Sequence, residues 1–214
     1  MKYNKYIDHT LLKADASIKE IKQLCNEAKK YHFASVCVNP IYVSYCKTQL
    51  VNTNVKVCTV IGFPLGNNTT LVKVLETMDA IKNGAQEIDM VINIPWLKAK
   101  KIEEVVVEIK MLKKICDKHI LKVIVETSLL SNEDKINACK CVTLAKADFI
   151  KTSTGFSTGG ATTDDIKLFR KYIGKKIKIK ASGGIKTYSD MLAMIKAGAT
   201  RIGTSRGVVL MRGK

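Results

Sequence analysis

A closed (β/α)8 barrel, the TIM-barrel form of the α/β class, is the fold predicted by this 214-residue sequence. Eight short apolar runs, each of strand length and rich in β-branched residues, recur along the chain. Segments between them carry apolar residues at helical spacing. Eight such units in 214 residues match a barrel near its lower size limit. Parallel strands need crossover connections long enough to hold a helix, so the alternation calls for a parallel sheet covered by helices. An open doubly wound sheet is the other arrangement compatible with it. No linker, low-complexity segment or close internal repeat interrupts the pattern, and residues 1–214 read as a single domain.

The first strand is expected at 6–9. Ser17-Ile-Lys-Glu20 then has the form of a capping box, followed by Ile21, Leu24, Cys25 and Ala28 on one helical face. Strands follow at 34–39, 55–61 and 87–93, and the first and last of these runs end in asparagine. A helix is predicted over 102–116, a fifth strand over 121–126, and a helix over 133–145. The sixth strand, 149–153, leads to a helix over 164–172 and the seventh strand, 177–181. A helix over 190–197 closes at Gly198, a helix-stop residue, before the last strand at 201–204. In a barrel the C-terminal strand ends carry the chemistry. Here they are polar: Asp8-His-Thr10, Asn39, Thr59, Asn93, Glu126, Lys151-Thr-Ser-Thr154, Lys180-Ala-Ser182 and Thr204-Ser205.

Composition narrows the class. A hydrophobic share of 46% and a charged share of 26% belong to a globular protein, and no apolar run reaches the ~18 residues of a membrane helix. The start from Met1 to Asp8 is basic without a following apolar stretch, so no secretory signal and no membrane partner are expected, and the location expected is cytoplasmic. Seven cysteines without C-x-x-C spacing read as reduced, buried small hydrophobes. His9, His32 and His119 form no ligand pair, and no metal is expected. The net charge of +17 comes from lysines spread along the chain, with some capacity to attract anionic substrates. With 6% aromatic residues there is little to stack bases, so nucleic acid is not an expected partner.

Two strand-like runs each hold a lysine where a structural strand would not. They are Asp148-Phe-Ile-Lys-Thr-Ser-Thr-Gly-Phe156 and Ile177-Lys-Ile-Lys-Ala-Ser-Gly-Gly-Ile185. Burying an unpaired ammonium costs several kcal/mol, so each needs a reason. Residues two apart in a strand share a face. With Ile88, Met90, Ile177 and Ile179 turned toward the helices, Glu87, Asp89, Lys178 and Lys180 turn inward, as do Phe149 and Lys151. Asp89, Lys151 and Lys180 thus point into one interior near one mouth. A free lysine, with a pKa of ~10.4, is almost wholly protonated at neutral pH. Desolvation and a second ammonium nearby disfavour that charge, and the neutral amine can then attack a carbonyl to form an imine. Asp89 is placed to shuttle protons. The alternative is that the lysines snorkel, or pair with carboxylates such as Glu126.

Seven segments together are similar to the deoxyribose-phosphate aldolase family: Ile7-Asp-His-Thr-Leu-Leu-Lys13, Ala34-Ser-Val-Cys-Val-Asn-Pro40, Val57-Cys-Thr-Val-Ile-Gly-Phe-Pro-Leu-Gly66, Glu87-Ile-Asp-Met-Val-Ile-Asn93, the stretch from Phe149 to Ala161, Lys180-Ala-Ser-Gly-Gly-Ile185 and Gly198-Ala-Thr-Arg-Ile-Gly-Thr-Ser205. They run in order from about residue 6 to 208. The resemblance implies a class I aldolase that cleaves 2-deoxy-D-ribose 5-phosphate reversibly to D-glyceraldehyde 3-phosphate and acetaldehyde, in deoxynucleoside catabolism, without metal or cofactor. It implies that Lys151 forms the Schiff base, that Lys180 keeps it uncharged, and that Asp89 serves the proton relay. Asp8, Thr10, Cys37 and Thr154 are implied to line the pocket. Gly155, Gly183, Gly184, Gly203 and Ser205 follow the last three strands, where barrels commonly hold phosphate and glycines let backbone N–H groups approach an anion. Alone they would read as turn residues; the resemblance assigns them to the phosphate. The partner implied is a small phosphosugar, and relatives leave a homodimer open.

The sequence departs from the family pattern at Arg206, where a small residue is usual, and at Lys178, two positions below Lys180. Asn93-Ile-Pro-Trp96 replaces the more usual Asn-Ile-Gly in what reads as a peripheral loop. The chain ends soon after Ser205, so no long tail is expected to close over the substrate. Two other functions are compatible with parts of the pattern: an imine-forming barrel acting on a different aldehyde, and a basic nucleic-acid-binding barrel without activity. The joint presence of Asp89, Lys151 and Lys180 argues against the second.

Overall fold

The computed structural model describes residues 3–213; Met1 and Lys2 of the basic start, and Lys214, lie outside the described residues. Strands β1 (Ile7–Leu11), β2 (Ser35–Val38), β3 (Lys56–Ile61), β4 (Glu87–Val91), β5 (Ile120–Ile124), β6 (Phe149–Lys151), β7 (Lys178–Ser182) and β8 (Arg201–Thr204) pair in that order, and β8 closes on β1. Every pairing is parallel. The fold is therefore the (β/α)8 barrel, and the open doubly wound sheet is set aside.

The helices are α1 (Ile18–Tyr31), α2 (Val43–Gln49), α3 (Thr70–Lys82), α4 (Ile94–Lys98), α5 (Ile102–Cys116), α6 (Asn132–Leu144), α7 (Thr163–Tyr172), α8 (Tyr188–Ala197) and α9 (Gly207–Arg212). The Ser17–Glu20 capping box forms as its spacing predicts, and Gly198 ends α8 at φ +125°. Asn93 caps a helix where the sequence suggested a peripheral loop: its Oδ1 accepts from Trp96 N at 3.0 Å. Ile94 and Leu97 of that helix, α4, are buried.

The apolar core lies between barrel and helices, where Ile88, Met90, Ile150 and Ile179 meet residues such as Ile21, Ile109 and Ile166. The barrel interior is built differently. Period-two alternation and the strand register stack Ser35, Glu87, Phe149 and Arg201 lowest, then Asp8, Cys58, Lys122 and Lys180, then Cys37, Asp89, Lys151 and Gly203. Barrel interiors usually hold branched apolar side chains; this one is largely ionic. Lys178, at the start of β7, is exposed at the opposite end, with its ammonium 5.8 Å from the Phe149 ring centre. It leaves through the bottom and does not approach Lys180.

Candidate active site

Each charged interior side chain is driven inward by its neighbours in sequence. Ile88 and Met90 sit fully buried under the helices, so Asp89 between them faces the barrel axis. Ile150 does the same for Lys151, Ile179 and Ala181 for Lys180, and Leu121 and Val123 for Lys122. The four converge. Lys151 Nζ donates to Asp89 Oδ2 at 2.9 Å, and Lys180 Nζ donates to the same oxygen at 2.7 Å. Lys122 Nζ takes the other oxygen, Oδ1, at 2.8 Å. Lys180 also lies 2.5 Å from Asp8 Oδ2, an ion pair off the hydrogen-bond direction.

A second tier of charges lies beneath. Lys122 Nζ is 2.6 Å from Glu87 Oε2, and Arg201 bridges Asp8 Oδ1 at 2.6 Å and Glu87 Oε2 at 2.9 Å. Ser35 Oγ donates to Asp8 Oδ1. Among the described residues this interior network holds Lys122, Lys151, Lys180 and Arg201 against Asp8, Glu87 and Asp89. With every group ionised, it carries one positive charge too many. Lys151 has the fewest counter-charges of the four, a single carboxylate oxygen.

Burial alone would raise the Asp89 carboxyl, but Lys122, Lys151 and Lys180 outweigh it and hold it well below the usual carboxylate range. Asp8 follows the same pattern under Lys180 and Arg201. For Lys180 burial opposes the charge, yet Asp8 and Asp89 prevail and raise its pKa above the ordinary lysine value. Asp8 and Asp89 thus favour the charged form of Lys180, the form a cation beside the Lys151 amine would need.

Above this floor a cavity of about 410 Å³ opens at the C-terminal mouth. Lys151 lines it, together with the expected Thr10, Thr154, Gly155, Gly183, Gly184, Gly203 and Ser205. Asp8, Asp89 and Lys180 lie just below, fully buried. Cys37 does not line the cavity; it packs in the interior against Leu12, Cys58 and Val60. Gly183 and Gly184 both have positive φ, +82° and +76°, so successive N–H groups can turn toward an anion. Gly203 has a different reason to be glycine. A Cβ there would sit 3.0 Å from Lys180 Cε, so the residue clears the path of that side chain. Thr154 donates its hydroxyl to Glu126, which orients both and leaves Glu126 away from the lysines. A larger cavity, about 670 Å³, lies at the opposite end around Ile177 and Lys178, but no interior cation lines it.

Lys122, Arg201 and Cys58 were not singled out from sequence. The signal for Lys122 was present, since Leu121-Lys-Val-Ile repeats the apolar-lysine-apolar pattern that marked Lys151 and Lys180. Lys13, Lys186 and Arg206 also border the cavity. Cys37, Cys58 and Asp89 bring three donor atoms within 4.8 Å of one another. Lys122 already donates to both Cys58 and Asp89, and the surrounding ammonium groups oppose a divalent cation there.

Known proteins resemble this chain in sequence and in fold. The family model for DeoC/LacD family aldolases matches residues 3–213. A deoxyribose-phosphate aldolase of Streptococcus sanguinis (strain SK36) is 54% identical over 214 residues, covering 100% of this chain and 97% of the relative. One of Lactococcus lactis subsp. lactis (strain IL1403) is 54% identical over 213 residues, with the same coverage. Among solved structures, the aldolase QR15 superposes with a TM-score of 0.95 at 42% identity, covering 99% of this chain and 95% of its own. The deoxyribose phosphate aldolase of Aeropyrum pernix, described as a unique tetramer, superposes with a TM-score of 0.91 at 31% identity, covering 98% and 89%.

Proposed function

The chain belongs to the DeoC/LacD family of aldolases, and from that membership we propose a Schiff-base cleavage of 2-deoxy-D-ribose 5-phosphate with Lys151 as the nucleophile. The products are D-glyceraldehyde 3-phosphate and acetaldehyde, and the reaction is reversible. The observation that carries the assignment is the sharing of Asp89 Oδ2 by Lys151 and Lys180 directly beneath the cavity.

The uncharged Lys151 amine adds to the aldehyde carbon, C1, and loss of water gives a protonated imine. A base removes the proton of the C3 hydroxyl, the C2–C3 bond breaks, and its electron pair flows into the imine to leave an enamine. Glyceraldehyde 3-phosphate departs. The enamine takes a proton at C2, and water hydrolyses the resulting imine to release acetaldehyde and the free amine. Asp89, in contact with both lysines, is placed to pass protons between them and the bound intermediate. The Gly183–Gly184 turn with Gly155 and Ser205 offers backbone and hydroxyl donors to the phosphate, and Lys186 and Arg206 add positive charge at the same border.

Borohydride reduction in the presence of acetaldehyde, followed by peptide mass spectrometry, tests the assignment. The expected result is one ethyl group on Lys151, absent from Lys151→Leu. A modified lysine elsewhere, or trapping with dihydroxyacetone but not acetaldehyde, would point to a different imine chemistry.

The setting that fits this reaction is deoxynucleoside catabolism in the cytoplasm, a reducing compartment consistent with seven free, buried cysteines. Among the described residues no helix is long and apolar enough to cross a membrane. A second copy of the chain is the partner supported by the exposed Leu71, Leu75 and Met78 of α3 and Val107 and Met111 of α5.

A further inference from the structure

We propose that Lys122 is a positioning residue for the reaction: together with Glu87 it anchors one oxygen of Asp89, so that the other serves Lys151 and Lys180. The inference rests on the assignment of Lys151 as the imine-forming amine. Lys122 is fully buried and does not line the cavity, so it has no contact through which to bind substrate. Its ammonium sits 2.8 Å from Asp89 Oδ1, 2.6 Å from Glu87 Oε2 and 3.9 Å from Asp8 Oδ2, and donates to Cys58 Sγ at 3.3 Å.

Two consequences follow from that position. The first is geometric. A carboxylate with both oxygens free could rotate to chelate a single ammonium; with Oδ1 tied to Lys122, only Oδ2 is left, and the two upper lysines must share it. The second is electrostatic. The groups around this centre are Asp8 on β1, Cys37 on β2, Cys58 on β3, Glu87 and Asp89 on β4, Lys151 on β6, Lys180 on β7 and Arg201 on β8. Lys122 supplies the charge that makes four cations face three carboxylates. Lys151 is the least paired of the four and the one that lines the cavity, so a change in the interior's charge balance bears on it most directly.

Two substitutions test this with opposite signs. Lys122→Met removes a positive charge, so the three carboxylates hold the Lys151 proton more firmly. The acidic limb of the pH–kcat profile should move up by about one pH unit, with kcat near pH 7 falling about tenfold and KM unchanged. Glu87→Gln removes a negative charge while keeping the side chain's shape, so the same limb should move down. Glu87→Gln also keeps the test available if Lys122→Met does not fold. A lysine that only stabilised the barrel would lower the melting temperature of both variants and leave the pH profile where it was. That outcome, or shifts of the same sign, would overturn the proposal. Borohydride trapping is run in parallel. If wild type forms no imine at Lys151, the underlying assignment fails. If wild type and variants all trap at Lys151 and the profiles do not move, the role of Lys122 fails by itself.

Discussion

Lys180 illustrates how a residue's neighbours decide its chemistry. It is buried, yet two carboxylates keep it charged, so it can act on Lys151 only as a fixed cation. Replacing it by leucine removes that cation and leaves Asp8 and Asp89 less compensated. Both changes favour a protonated Lys151. Lys180→Leu should therefore retain an amine able to form the imine, but only at raised pH, with kcat near neutrality down by about tenfold or more. The pH–rate profile is the measurement, and an unshifted profile would remove the cation-tuning account. Sequence parity sufficed to turn Asp89, Lys151 and Lys180 inward. It could not give Gly203 its role, because a glycine that clears space for Lys180 looks the same in sequence as one that binds an anion.

Among the elements, α5 is legible in the sequence from Ile102 to Cys116, whereas α3 is not. The difference is physical. A surface helix shows itself by contrast between its faces, and α3 blurs that contrast with exposed Leu71, Val72, Leu75 and Met78 while burying Lys73. Lys73 pairs with Glu108 of α5 at 2.9 Å and donates to Val91 O at 3.0 Å, pinning the helix to the end of the strand that carries Asp89. The exposed apolar residues are what a second copy would cover. Light scattering coupled to size exclusion should give a dimer mass for the wild type and a monomer mass for Leu75→Lys. A wild type that is monomeric at micromolar concentration, or a variant of unchanged mass, would eliminate this face as the interface. Leu75 is 56% exposed, so the substitution leaves the monomer's core intact.

For the whole molecule, the ionic interior makes stability a function of pH at both ends. Asp8 and Asp89 have depressed folded-state pKa values. Their contribution is complete above the unfolded carboxylate value of ~3.9 and is lost as pH falls through the folded values. Lys122 and Lys180 have raised values. Their contribution is complete below the unfolded lysine value of ~10.4 and is lost as pH rises through the folded values. These groups keep their contribution level from about pH 5 to 9, while His9, held neutral by burial, adds a decline of the urea midpoint below about pH 6.5. Asp8→Asn should lower the plateau, since it leaves Lys180 and Arg201 short of a partner, and flatten the acid decline. An acid decline identical to that of the wild type would show that Asp8 contributes nothing to it.

Local order along the chain sufficed to predict eight strands, most of their helices, and which strand residues face the axis, because period-two and 3.6-residue spacing are properties of neighbours in sequence. The family segments added the expected chemistry. Only the closed barrel could decide which inward charges meet. Lys180 reaches Asp89 across 91 residues and Arg201 reaches Asp8 across 193, through a register fixed when β8 closes on β1. Parity gives a side chain's face but not its height or its neighbour around the ring. Lys122 was therefore visible as a lysine in a strand, and became the anchor of Asp89 only in three dimensions.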